Sequence, residues 1–132
     1  MIVVDTSAVI AIVRGEPEAS AFEAILDRAD AAMMSVISYV EVHMVIAGRR
    51  PNADFNRTEE WFQALGIEIV TVTPEQGTLA VKAFFEYGKG RHPARLNLSD
   101  CFAYALAKSR GLPLLFKGND FSQTDLAPAW QP

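Results

Sequence analysis

The stretch Met1-Ile2-Val3-Val4-Asp5-Thr6-Ser7 at the start of the chain determines how the rest of the sequence is interpreted. Its first four residues are apolar without alternation, which is typical of a strand that is covered on both faces. Asp, Thr and Ser are residue types that cap helices, and the apolar run 8–13 follows them directly. The chain therefore begins with a buried strand that leads into a helix, as α/β proteins do.

The same alternation continues along all 132 residues. Concentrations of apolar and β-branched residues predict strands over 1–4, 32–36, 67–72 and 112–116. Helical periodicity and capping residues predict helices over 8–13, 18–28, 38–46, 55–65, 73–87 and 97–110. The sequence thus predicts one domain over residues 1–132. Its fold class is α/β, a three-layer α/β/α arrangement with a mainly parallel central sheet of about four to five strands.

Side chains near the helix ends give the predicted boundaries. Ser38 is the expected cap of the third helix, and either Asn97 or Ser99 is the expected cap of the last one, which ends at Gly111. Aromatic residues at helical spacing are interpreted as core residues rather than as surfaces on which bases stack. These aromatic residues are Trp61, Phe62, Phe84 and Phe85.

Composition excludes several classes of protein. The single cysteine, Cys101, rules out an internal disulfide and a cysteine-rich zinc site. No apolar run reaches the roughly 18–20 residues of a membrane helix, and the first residues lack the pattern of a signal peptide, so a cytoplasmic protein without a membrane partner is expected.

The net charge of −4 hides an uneven distribution. Residues 1–48 carry seven acids and two bases, whereas residues 89–117 carry six bases and one acid. Such a division is expected where acids hold cations and bases hold phosphates, although an ordinary solvated surface explains it equally well. Arg91 and Arg95 lie in a basic loop of the second region and are the candidate substrate-binding residues, since they could hold phosphates.

Four acids occupy positions that point to a site. Asp5 and Asp120 each follow a predicted strand, and the functional crevice of a parallel sheet lies beyond the carboxyl ends of its strands. Glu41 and Asp100 are isolated charges in helices that are otherwise largely apolar. Taken singly, a helix cap or a turn also accounts for three of them. Glu41 has no Lys or Arg one turn away, so a bound cation is a natural partner for it.

A cluster of carboxylates suits one kind of chemistry. Hard oxygen ligands select Mg²⁺ or Mn²⁺, and a bound ion can lower the pKa of its water and stabilise charge that develops on phosphorus. The four acids are therefore the predicted catalytic and metal-binding residues. The hydroxyls of Thr6 and Ser7, beside Asp5, are suited to bonding a carboxylate, a metal-bound water or a substrate phosphate.

Several segments resemble those of a known family. MIVVDTSAVI (1–10) resembles the opening motif of PIN-domain ribonucleases, and SYVEV (38–42) and NLSDCFAYALA (97–107) resemble their second and third acidic motifs. LLFKGNDF (114–121), followed by TDL (124–126), resembles the C-terminal motif of VapC-type toxins of bacterial type II toxin–antitoxin pairs. Order and spacing agree along essentially the whole chain.

The resemblance implies a PIN-like fold and an endoribonuclease that depends on Mg²⁺ or Mn²⁺, with transfer RNA or another translation-related RNA as a conceivable substrate. It also implies a homodimer and a cognate antitoxin whose tail covers the active-site groove. The acids of the family correspond to Asp5, Glu41, Asp100 and Asp120. Asn119 stands beside the last of these, which leaves open which residue holds the final ligand position.

Other functions fit the sequence less well. A receiver-type switch needs adjacent acids after the first strand, and a haloacid-dehalogenase-like phosphatase needs an acid at position 7, which is Ser. No glycine-rich phosphate loop with a lysine is present, which argues against nucleotide hydrolysis. The remaining alternatives are an RNA-processing nuclease that is not a toxin and a catalytically inactive PIN-fold binding module.

Overall fold

Four short parallel strands form the centre of the structure, a computed structural model that describes residues 1–132. They are β1 (Ile2–Val4), β2 (Ala32–Ser35), β3 (Ile67–Val70) and β4 (Leu114–Leu115), in the spatial order β3-β2-β1-β4. Val3 pairs with Met33 on one side and with Leu114 on the other, so β1 is an inner strand. The inner position explains why β1 is apolar at every residue.

Six helices cover the two faces of this sheet, followed by a 3-10 turn over Phe121–Gln123. The first face is covered mainly by α1 (Thr6–Val13), α2 (Ala19–Arg28), α3 (Val36–Arg49) and α4 (Phe55–Ala64), and the second mainly by α5 (Pro74–Tyr87) and α6 (Leu98–Arg110). Alternate strand residues separate the core into two layers, with Val4 and Met34 in the first and Val3 and Met33 in the second. The predicted three-layer α/β/α architecture with a parallel sheet is confirmed. No helix is both long enough and apolar enough to span a lipid bilayer.

Several predicted boundaries were wrong. Ser35, not Ser38, caps α3, because its Oγ accepts a hydrogen bond of 3.2 Å from the Ile37 N–H. The chain passes from β2 to α3 without an intervening loop, which places Ser38 inside the helix, where it is fully buried. The last two strands are shorter than predicted, since β3 ends at Val70 and only Leu114 and Leu115 of the segment 112–116 join the ladder.

The C-terminal segment contributes an unpredicted contact at the edge of the sheet. Leu114 donates its N–H to the Ala127 carbonyl at 3.0 Å and accepts from the Ala129 N–H at 2.8 Å. Trp130 then packs edge-to-face on Phe22, with ring centroids 5.3 Å apart. Because these contacts satisfy backbone groups on the outer side of β4, they cover an edge that would otherwise be open.

Two of the four aromatic residues expected in the core are outside it. Phe62 is fully buried, whereas Phe84 and Phe85 are 40% and 61% exposed. The reason lies in α5, which buries the stripe of Gln76, Ala80, Ala83 and Tyr87 at helical spacing. The small residues of this stripe allow α5 to pack closely on α6, so the two adjacent phenylalanines face away from the core.

Candidate active site

The carboxylates predicted from the sequence lie around the carboxyl end of β1. Asp5 follows that strand directly and is only 2% exposed. Its Oδ2 accepts a hydrogen bond of 3.0 Å from the Ser7 N–H, which makes Asp5 the N-cap of α1. Its Oδ1 is buried and has no hydrogen-bond partner. A carboxylate oxygen in that state is a strong acceptor that is available for a cation.

Burial is the main influence on the pKa of Asp5. Removal from water raises the pKa of this carboxyl from 3.8 to about 6, and the negative charge of Glu41 adds to the increase. Hydrogen bonds from Ser7 and Thr6 lower the pKa and offset part of that effect. Asp5 is therefore poorly stabilised as an anion by the protein alone.

Asp100 shows that the four acids form one cluster. Burial, followed by the charge of Asp5, raises the pKa of Asp100 to about 7, and Glu41 and Asp120 raise it further. Asp100 and Asn97 also form a capping box, in which Asp100 Oδ2 accepts from the Asn97 N–H at 3.0 Å and Asn97 Oδ1 accepts from the Asp100 N–H at 2.9 Å. The capping role and the clustered position therefore coexist in one residue.

The cluster has no positive partner within the protein. Five ion pairs occur in the structure, and none involves Asp5, Glu41, Asp100 or Asp120. Glu41 is half-buried on α3, and Asp120 is exposed at the start of the 3-10 turn without a side-chain capping bond. Asn119 supports this turn through its carbonyl, which accepts from Ser122 and Gln123.

The two hydroxyls beside Asp5 have different surroundings. Thr6 is buried, and its Oγ1 donates to the Ser38 carbonyl at 3.2 Å, which ties the start of α1 to the helix that carries Glu41. Ser7 donates its backbone N–H to the Asp5 carboxylate, and its Oγ accepts from the Lys117 N–H at 3.0 Å. Ser7 therefore fixes Asp5 to the end of β4, and its half-buried hydroxyl lies closer to solvent than that of Thr6.

The basic region 89–117 is divided into paired and unpaired side chains. Lys117 pairs with Glu16 and, at 3.1 Å, with Glu18 on the α1–α2 connection. Lys108 pairs with Asp125 at 2.5 Å, and Asp125 also accepts from the Tyr104 hydroxyl at 2.6 Å. Lys108 and Lys117 are therefore less available to phosphates than the other bases of this region, because acids that are distant in sequence neutralise them.

The sequence did not predict the contacts of Asp125 with Tyr104 and Lys108. Asp125 lies 21 residues from Tyr104 along the chain, and no local pattern indicates the pairing. Its two bonds attach the segment that follows Asp120 to α6, the helix that carries Asp100. Asp125 therefore supports the geometry of the cluster without belonging to it.

The exposed cations nearest the start of α6 lie in the loop 88–96. Arg91 and Arg95 are both exposed and make no ion pair. Arg95 has a φ of 55°, the only positive value at a non-glycine residue. The loop carries these cations on the segment that leads directly to the Asn97–Asp100 capping box.

The residues of the cluster fit a divalent cation. Asp5 provides an unpartnered buried oxygen, and the other acids provide hard oxygen donors without a competing base. No group of three His, Cys, Asp or Glu side chains is arranged to hold an ion as it stands. A Mg²⁺ ion commonly binds only one or two protein carboxylates directly, with waters or substrate phosphates completing its shell.

The chain is similar to known proteins over nearly its whole length. The PIN domain family model matches residues 2–126. The VapC ribonuclease Mb0640 of Mycobacterium bovis is 42% identical over 130 residues, which cover 98% of this chain and 99% of the relative. Two solved structures share the fold over the full length of both chains. They are VapC20 of Mycobacterium tuberculosis, a sarcin–ricin loop cleaving toxin, with a TM-score of 0.75 at 18% identity, and a toxin–antitoxin complex of Klebsiella pneumoniae, with a TM-score of 0.72 at 21% identity.

Proposed function

Because the chain belongs to the PIN domain family and, within it, to the VapC ribonucleases, the toxins of toxin–antitoxin pairs, we propose that it is an endoribonuclease that requires Mg²⁺ or Mn²⁺. One observation carries the metal requirement. Four carboxylates surround the end of the central strand without a single positive partner, and the most buried of them has an oxygen with no hydrogen bond. Such an arrangement is unfavourable unless a cation joins it.

The residues have distinct roles in this proposal. Asp5 and Asp100 would hold the ion, with Glu41 and Asp120 as further ligands to it or to its waters. When bound, a divalent ion supplies an activated water and a positive charge beside the scissile phosphate. The Ser7 backbone N–H orients the Asp5 carboxylate, and the capping box with Asn97 fixes one oxygen of Asp100, which leaves the other available.

Two protein partners belong to the proposal. A cognate antitoxin is supported by the fold shared with the toxin–antitoxin complex of Klebsiella pneumoniae, and the unpaired carboxylates offer a site for a basic side chain of an inhibitory tail. A homodimer is supported by an apolar groove of about 310 Å³ between α5 and α6, where Val81 and Leu98 are largely exposed. The cytoplasmic location and the transfer RNA target stay predictions.

The decisive experiment is cleavage of RNA by purified protein in the presence and absence of divalent ions. We expect cleavage with Mg²⁺ or Mn²⁺, no cleavage in EDTA, and background levels for Asp5→Asn and Asp100→Asn with unchanged circular dichroism. Asp27→Asn, at an exposed position on α2, is the matched control and should cleave normally. Cleavage by both active-site variants would refute the proposal. Binding of RNA without any cleavage by the unaltered protein would favour the inactive binding module instead.

A further inference from the structure

An exposed aromatic ring and a cation lie together at the end of α5. Phe85 is 61% exposed, and the Arg91 guanidinium lies over its ring at 4.8 Å from the centroid. Arg91 Nε also donates to the Phe85 carbonyl at 3.1 Å, which holds the guanidinium in that position. A flat, partly exposed ring with a fixed cation is the combination on which nucleic-acid bases stack.

The loop that carries Arg91 is held in one shape by its own hydrogen bonds. Lys89 donates its N–H to the Leu96 carbonyl, and Leu96 donates to Tyr87, which closes the base of the loop. The N–H groups of Arg91 and His92 both donate to the Gly88 carbonyl. Since Leu96 is fully buried, the loop is anchored in the core and presents its cations without further ordering.

Gly88 shows why the loop begins where it does. A Cβ at this position would lie 2.3 Å from the Phe84 carbonyl oxygen and 2.5 Å from the Phe84 ring. Only glycine allows the chain to turn so closely against α5. The close turn brings Arg91 back over Phe85.

Charge and position connect this surface to the carboxylate cluster. Residues 76–99 contain four bases and one acid, and none of the four bases makes an ion pair. The loop leads directly into α6, which carries Asp100, and Gln123, just after Asp120, donates to the Pro93 carbonyl at 3.4 Å. The loop therefore adjoins the segments that carry two of the four acids.

We infer that Phe85 and Arg91 form a stacking site for an unpaired base of single-stranded RNA, while Lys89 and Arg95 contact the adjoining phosphates. The inference rests on the proposed ribonuclease function and adds to it a base-binding site outside the carboxylate cluster. A second copy of the chain is the less suitable occupant, since a twofold contact here would bring like-charged loops together. The apolar groove between α5 and α6 does not include Phe85.

The test measures binding separately from cleavage, in EDTA, by fluorescence anisotropy of a labelled single-stranded RNA. Phe85→Ala should weaken binding about tenfold, because one stacked base is lost. Phe85→Tyr, which keeps an aromatic ring, should bind the RNA as tightly as the unaltered protein. Phe55→Ala, which removes a similarly exposed ring on α4, is the matched control and should leave binding unchanged. Binding of the same RNA annealed into a duplex should be insensitive to Phe85→Ala, because its bases are already stacked.

A second readout reports the stack itself. An RNA that carries 2-aminopurine should lose fluorescence on binding to the unaltered protein and recover it with Phe85→Ala or Arg91→Ala. Equal loss of single-strand and duplex binding, or unchanged affinity and fluorescence, would overturn the inference. Light scattering measures the oligomeric state of each variant. If Phe85→Ala converts a dimer to a monomer without changing RNA affinity, Phe85 belongs to a protein interface, and the inference is overturned. Failure of the unaltered protein to cleave RNA with Mg²⁺ would refute the proposed function while leaving this result intact.

Discussion

Replacement of Asp5 by Asn should make the metal-free protein more stable while it removes activity. Asp5 is buried, and its pKa lies near 6 in the folded protein instead of the ordinary 3.8. Its charged form is therefore unfavourable in the folded state at neutral and alkaline pH. Asn has nearly the same shape and keeps an oxygen that can accept from the Ser7 N–H.

The size of the effect follows from the pKa. Each pKa unit corresponds to about 1.36 kcal/mol, so a change from 3.8 to about 6 destabilises the folded protein at pH 8 by about 3 kcal/mol. The amide group of Asn would occupy the place of the unpartnered Oδ1, and an unsatisfied buried donor costs about 1–3 kcal/mol. The expected net gain from Asp5→Asn at pH 8 is therefore up to about 2 kcal/mol in the free energy of unfolding.

The sign of the pH dependence is fixed by the same values. Because the folded pKa is raised, the folded protein binds more protons than the unfolded chain between about pH 4 and pH 6. The contribution of Asp5 to stability is present below pH 4 and is lost as the pH rises through 6. The advantage of Asp5→Asn should thus appear above pH 6 and disappear towards pH 4.

The assay is urea unfolding in EDTA at pH 8 and pH 4, followed by the fluorescence of Trp61 and Trp130. Asp27→Asn at an exposed site serves as the control and should change stability little. An effect of Asp5→Asn on stability that is the same at pH 8 as at pH 4 would show that the buried carboxylate is not destabilising in the metal-free protein. That result would remove the main physical reason for placing a cation beside it.

Three further outcomes are expected. Mg²⁺ should raise the unfolding temperature of the unaltered protein and not that of Asp100→Asn, as differential scanning fluorimetry can show. Tyr104→Phe should lower stability by about 1 kcal/mol through loss of the hydrogen bond to Asp125, and an unchanged midpoint in urea would contradict this role. Gly88→Ala should lower stability by about 1–3 kcal/mol, because its Cβ meets the Phe84 carbonyl and ring, and a stability equal to that of the unaltered protein would show that the loop has room to shift.

Much of the fold could be predicted from the sequence, because the patterns that indicate strands and helix ends are local. The uninterrupted apolar run 2–4 predicts an inner strand, and the structure places it between two parallel neighbours. Residue type alone predicts Gly111 as the end of α6 and offers Asn97 and Ser99 as its cap, and the structure has Asn97 as the cap and Gly111 as the left-handed residue. The positions of the acids relative to strands and helices follow from the same local patterns.

Tertiary structure alone decided which groups meet. The charge of Asp5 raises the pKa of Asp100, although the two residues are 95 positions apart in sequence. Lys117 likewise pairs with Glu16, which lies 101 positions before it. The exposure of Phe85 was mispredicted for the same reason, since helical spacing identifies a stripe but not which stripe the neighbouring helix covers. Such contacts depend on how packed layers bring distant segments together, and residue type and spacing do not record that arrangement. The sequence thus determined the helices and strands and the acids that they carry. Packing decided that these acids lie close together and that no basic side chain pairs with them.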